Sequence, residues 1–241
     1  MKSLTKSGSI EWFTGGYYEP VLSSIPSKDR RAQIKKLSRY IEKHFGVKPR
    51  GLWLTERIWE PSLVSDLHAC GIYYAMVDDY HFLSNGYNKK RMNGYYMTED
   101  NGQKLKLFPI SKSLRYSLPF TKVEDSIKAI LDYSDEANSA SIFFDDAEKF
   151  GLWPQTNKWV YKEKWLKNFV EAVLKNEQIT SQHYGKYTQE NKSLGLAYLD
   201  NCSYSEMGEW SLKTQDAHTF ESLKQKVGKE AIEVPYAGVF Y

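Results

Sequence analysis

Cysteine is scarce in this chain of 241 residues: only Cys70 and Cys202 occur, far apart and outside any CxxC pair. That speaks against a disulfide framework, and each is expected as a buried, reduced thiol. The five histidines, at 44, 68, 81, 183 and 218, show no HxH or HExxH spacing, so no metal centre and no other cofactor is expected. No apolar run approaches the roughly eighteen residues of a membrane span. The opening MKSLTKSGSIEWF lacks the apolar core of a signal peptide, so the expected location is cytoplasmic. A net charge of +3, with lysines dispersed among acids, is no footprint of a nucleic-acid partner. Repeats and low-complexity tracts are absent as well.

Aromatics, by contrast, are abundant: they make up 15% of the chain, with 18 tyrosines and 7 tryptophans. They suit a Tyr-rich core and surface, and equally a sugar-binding cleft, because pyranose rings present flat C–H faces to aromatic rings.

Strand-like and helix-like segments alternate from end to end. Residues 27–46 put Ile34, Leu37, Ile41 and Phe45 on one face, with Ser27 as N-cap and Gly46 as stop, and predict a helix. GLWLTERIW (51–59) reads as a strand and Leu63–Cys70 as a short helix closed by Gly71. IYYAMVDD (72–79) reads as a strand ending in acids. The polar stretch 84–104, with Asn-Gly pairs at 85–86, 93–94 and 101–102, predicts a loop or hairpin excursion. Strands follow at 105–110, 139–146 (SASIFFDD) and 194–200, and helices at 121–136, 160–176 and 214–230.

This order predicts an α/β protein with a mainly parallel sheet. Chemistry in such folds sits at the carboxyl ends of strands, and three predicted strands finish in acids: Glu56, Asp78/Asp79 and Asp145/Asp146. Two carboxylates across a cleft can cleave or transfer glycosidic bonds, one attacking the anomeric carbon and the other handling the proton. A metal held by the Asp pairs is the rival use, with His81 the one histidine placed to join them. Arg57 is open to two readings, an ion pair with Glu60 or another acid, or a cation that keeps Glu56 ionised.

GLWLTERIWEP (51–61) and FFDDAEKFGLWP (143–154) resemble two signature regions of glycoside hydrolase family 57, particularly its 4-α-glucanotransferase and α-amylase members. TGGYYEPVL (14–22), VDDYHF (77–82), FPISKSLRYSLPF (108–120) and SYSEMGEWSL (203–212) extend the resemblance in order along nearly the whole chain. The resemblance implies an incomplete, distorted TIM-like (β/α)7 barrel with mainly parallel strands, residues 1–241 forming one partial catalytic domain. The family's opening His-Gln-Pro strand and later segments have no counterpart here, so an open barrel is expected. The resemblance implies a retaining enzyme acting on α-1,4-glucans or maltooligosaccharides, with Glu56 as nucleophile and Asp146 as general acid/base. Trp53, Trp153, Glu19, Asp79 and His81 fall on positions expected to bind substrate or line the cleft, and Asp145 is expected to orient Asp146. Ala147 stands where the family commonly has glycine. The alternative is an inactive glucan-binding fragment or subunit, completed by a second copy or a complementing chain.

Overall fold

In a computed structural model, the structure describes residues 1–132 and 139–227. The parts of the predicted helices 121–136 and 214–230 that fall on 133–136 and 228–230 lie outside the described residues. Helix α1 (Lys2–Lys6) leads into strand β1 (Phe13–Thr14), helix α2 (Ser27–Phe45) and strand β2 (Gly51–Leu52). Helix α3 (Leu63–Ala69), strand β3 (Tyr74–Asp78) and helix α4 (Asp79–Ser84) come next, then strands β4 (Tyr96–Asp100) and β5 (Gln103–Ile110). Further α-helices follow: α5 (Lys112–Ser117), α6 (Val123–Leu131), α7 (Trp165–Lys175), α8 (Tyr184–Glu190), α9 (Ser205–Trp210) and α10 (Thr214–Val227).

The strands form one sheet in the order β1-β2-β3-β5-β4. Every pairing is parallel except β4 with β5, so the α/β class with a mainly parallel, open sheet holds. The antiparallel pair is the hairpin that the Asn-Gly at 101–102 signals. Asn101 and Gly102 both adopt positive φ, 51° and 74°, the geometry of a two-residue type I′ turn that matches strand twist.

β3 is buried along its whole length, as a central parallel strand covered on both faces should be. Its alternation divides the core. Ala75 and Val77 pack with Leu52, Leu63, Leu67, Leu105 and Leu107, whereas Tyr74 and Met76 pack with Phe108, Ile110 and Ile142. Each fully buried aliphatic side chain contributes about 1.5–3 kcal/mol. Gly51 lets β2 approach this core, because a Cβ there would stand 2.3 Å from the Tyr74 ring and 2.6 Å from Phe13.

Helix α2 ends as predicted, with Gly46 at φ 75° donating its N–H to the Glu42 carbonyl. Ser27 does not cap it. The Ser27 hydroxyl instead donates to Asp66 Oδ1 at 2.7 Å. Arg30 and Arg31 donate to the same buried carboxylate at 2.8 and 2.5 Å, and the three contacts fasten α2 to α3.

Several predicted strands and helices differ. GLWLTERIW keeps only Gly51–Leu52 as strand before breaking into a 3-10 turn at Thr55–Arg57. SASIFFDD forms no strand and is held by Ala140 N–H donating to Asn93 O at 2.8 Å and Ser111 N–H donating to Ile142 O at 2.9 Å. The 160–176 helix is split, with a π turn at Lys158–Lys162 and Lys164 at φ 62° before α7. Residues 194–200 form no named strand. They run beside β4 through a parallel bridge between Met97 and Leu196.

Candidate active site

The site grows from the turn after β2. Glu56 is exposed and left-handed, at φ 53° and ψ 16°, and Arg57 follows at φ 50°. Two consecutive non-glycine residues in this region cost on the order of 1–3 kcal/mol each and persist only where the surroundings over-determine them. Distant residues do so here. His81 Nε2 lies 2.7 Å from the Arg57 carbonyl, and the Ser203 hydroxyl donates to the Glu56 carbonyl at 2.5 Å. Trp59 and Cys202 exchange backbone hydrogen bonds of 2.8 and 3.2 Å. The Tyr204 hydroxyl donates to Glu56 Oε2 at 2.5 Å.

Behind Glu56 lies a buried ionic network. Arg57, only 4% exposed, has its guanidinium carbon 4.0 Å from the Tyr204 ring centre and 5.6 Å from Trp53. Its acidic partner is Asp78, with Nε 3.8 Å from Oδ2, and not Glu60. Arg115 joins the two acidic segments, reaching Asp78 at 2.8 Å and Asp145 at 3.3 Å. Lys149, one helical turn after Asp145, pairs with it and donates to the Arg115 carbonyl at 2.6 Å. Burial and the Arg115 charge hold the Arg57 pKa below its ordinary value, opposed by Asp78 and Asp146.

Asp145 Oδ1 accepts the Asp146 backbone N–H at 2.9 Å, so the first aspartate of the pair anchors the backbone of the second. Asp146 itself is half-buried. Burial, then the charges of Asp145 and Glu148, push its carboxyl above the ordinary aspartate value, and Arg57 and Arg115 pull against them. Trp53 stacks on Phe144, with centroids 5.3 Å apart and planes 19° from parallel. That contact ties the turn carrying Glu56 to the segment carrying Asp146.

The remaining expected positions divide. Trp153 is largely exposed and stacks on Phe120. Glu19 is exposed at φ 53° in the turn that its N–H closes onto the Gly16 carbonyl. Asp79 and His81 are buried. Asp79 is buried with Oδ2 accepting the Lys112 N–H at 3.0 Å, and both ring nitrogens of the fully buried His81 face backbone carbonyls.

Tyr204, Arg115 and Lys149 were not singled out by sequence. The i,i+4 spacing of Asp145 and Lys149 was the one local signal for any of them. The Asp78 oxygens accept from Arg115 and from the Tyr80 N–H. No cluster of three or more His, Cys, Asp or Glu suited to a metal exists among the described residues. A cavity of about 750 Å³, lined by residues such as Leu114, Ile130 and Phe169, touches neither Glu56 nor Asp146. No described helix is long and apolar enough to cross a membrane.

The α/β sheet thus carries an exposed glutamate on a strained turn and, on a segment tied to that turn through Trp53 and Phe144, an aspartate with a raised pKa. Residues 1–199 match the profile of Glycosyl hydrolase family 57, and the chain belongs to that family. It is 44% identical over 232 residues to a 4-alpha-glucanotransferase of Thermococcus kodakarensis, covering 95% of this chain and 35% of the relative. An alpha-amylase of Pyrococcus abyssi is 44% identical over 228 residues, covering 94% and 35%. The crystal structure of the Thermococcus litoralis 4-alpha-glucanotransferase superposes with a TM-score of 0.91 at 42% identity, over 95% of this chain and 36% of that one. The chain thus spans about a third of the length of these relatives.

Proposed function

We propose that the protein carries the catalytic carboxylates of a retaining enzyme acting on α-1,4-glucans, a 4-α-glucanotransferase or α-amylase. What supports this reading is that Glu56, exposed on a turn held by His81 and Ser203, is joined through the Trp53–Phe144 stack to the segment carrying the half-buried Asp146. In the first step the Glu56 carboxylate attacks the anomeric carbon and the C–O bond to the leaving sugar breaks. Asp146 gives its proton to the departing oxygen. In the second step Asp146 takes a proton from the acceptor hydroxyl, whose oxygen displaces Glu56 and restores the α-linkage. Retaining chemistry wants the two carboxyl groups roughly 5–5.5 Å apart. The Tyr204 hydrogen bond aims the Glu56 carboxylate, and Asp145 fixes the backbone that carries Asp146. Trp53, Trp153 and Glu19 contribute to substrate binding in this reading, while Asp79 and His81 support the site from beneath.

Relatives named for transfer and for hydrolysis match about equally well. The two reactions share the glucosyl-enzyme and differ in whether a sugar hydroxyl or water resolves it. The reading carries a cytoplasmic location with it, and Cys70 and Cys202 are both free thiols. Incubation with maltoheptaose tests the proposal. A ladder of longer and shorter chains identifies transfer, and shorter chains alone identify hydrolysis. Unchanged substrate, with a mass of one chain by light scattering, removes the catalytic reading for this chain. Turnover confined to species heavier than one chain identifies a site completed by a second copy.

A further inference from the structure

Phe120 is 46% exposed, and a lone exposed phenylalanine needs no explanation. The backbone on either side of it does. The Trp159 indole N–H donates to the Pro119 carbonyl at 2.5 Å, and the buried Trp165 indole N–H donates to the Thr121 carbonyl at 2.6 Å. The Thr121 N–H donates to the Ser117 carbonyl at 2.8 Å, and Leu118 is buried. Two indoles therefore grip the carbonyls flanking one ring that is left facing solvent.

That ring has a companion. Phe120 and Trp153 stack with centroids 5.9 Å apart and planes 23° from parallel, and Trp153 is itself 43% exposed. Their contact hides neither ring. The Lys149 ammonium lies 5.5 Å from the Phe120 ring centre and 5.9 Å from that of Trp153. The same ammonium pairs with Asp145, whose carboxylate holds the Asp146 N–H. Lys149 is buried and engaged with Asp145 and the Arg115 carbonyl, so its ammonium is already paired where it meets the two rings.

We propose that Phe120 is a substrate-binding residue, forming with Trp153 a two-ring shelf that stacks one glucosyl unit of an α-linked glucan on the Asp146 side of the site. The class of ligand follows from the surface. A rigid, near-parallel aromatic pair suits the flat C–H face of a pyranose, whose hydroxyls stay in water at the rim. The inference rests on the glucan-active reading of the same site.

The test is titration of the full chain with maltoheptaose, by calorimetry and by tryptophan fluorescence, for wild type, Phe120→Ala and Phe120→Trp. Phe120→Ala is expected to weaken binding about tenfold, the loss of one stacked ring, with an unchanged urea midpoint. Phe120→Trp is expected to bind within about twofold of wild type, because it restores an aromatic face. Equal affinity of Phe120→Ala and wild type overturns the shelf while leaving the glucan-active reading intact. A loss in Phe120→Trp as large as that in Phe120→Ala also overturns it. Absence of saturable binding and of turnover by wild type overturns both readings together.

Discussion

The Tyr204 hydroxyl donates to Glu56 Oε2 at 2.5 Å, joining residues 148 positions apart in the chain. Burial, then the hydrogen bond to Glu56 and its charge, push the Tyr204 pKa above the ordinary phenol value, so the phenol keeps its proton and acts as a donor. A hydrogen bond to a charged group is worth about 1.5–3 kcal/mol. Tyr204→Phe is therefore expected to lower kcat on maltoheptaose by roughly ten- to a hundredfold with little change in KM. Glu56→Gln is expected to abolish turnover. A Tyr204→Phe enzyme with wild-type kcat removes the hydroxyl from the machinery.

Asp145→Asn is expected to shift the pH profile. In the proposed mechanism Asp146 is the acid of the first step and works protonated, so the alkaline limb of the rate is expected to report its pKa. The Asp145 charge raises that pKa, and Arg57 and Arg115 lower it. Removing the Asp145 charge also leaves Arg115 and Lys149 less compensated, which acts in the same direction. The alkaline limb should move to lower pH, and Glu148→Gln should move it the same way by less, because Glu148 is exposed and screened by solvent. A limb that moves to higher pH contradicts the assignment of Asp146.

His81 is expected to be a positioning residue. Its ring is wholly buried, and burial holds its pKa below the ordinary imidazole value despite the opposing Asp78 charge and backbone contacts. A neutral ring has one N–H. The 2.7 Å contact assigns it to Nε2, donating to the Arg57 carbonyl, in preference to the 3.1 Å contact of Nδ1. His81→Ala should cost about 2–4 kcal/mol in urea unfolding, from a stranded carbonyl plus a void. It should lower kcat more than it raises KM. His81→Gln, which can still donate, should recover part of both, and equal losses in the two variants would argue for volume alone.

Asp79 makes stability depend on pH. Burial, then the neighbouring Asp78 charge, push its carboxyl up to about 7. The folded state thus binds the proton more tightly than the unfolded chain, and this contribution is complete below the unfolded value and lost as pH rises through about 7. Between pH 6 and 8 the wild type should lose about 1 kcal/mol of unfolding free energy from this group. Asp79→Asn should show a flatter dependence by urea denaturation over the same interval. A variant with the wild-type slope assigns the dependence to another group.

The parts of the fold with local determinants are legible in the sequence. The helix at 27–46 follows from its apolar period and Gly46, and the hairpin at 101–102 from Asn-Gly. Motif resemblance marks Glu56 and Asp146 as candidates, but the backbone beneath them is not legible in the sequence. Leu52 and Leu54 satisfy a strand period, whereas the left-handed turn at 56–57 is imposed by His81 and residues 202–204. Likewise SASIFFDD has the composition of a strand but receives only scattered backbone hydrogen bonds. Arg115 and Tyr204 become visible only in three dimensions, because the carboxylates they serve lie on other segments, whereas Lys149 carries only the i,i+4 spacing from Asp145.

The network of Arg57, Arg115 and Lys149 with Asp78 and Asp145 has an electrical consequence. Below pH 7 Asp79 is mostly neutral, and these side chains leave one positive charge in excess. In the proposed double displacement, the anion begins on Glu56. It passes to Asp146 when the ester forms and returns when the ester breaks. The excess cation is therefore matched by one carboxylate at every stage, and the reaction moves a charge between two terminals above a fixed positive bed. No counter-ion has to enter or leave the site as the covalent intermediate comes and goes.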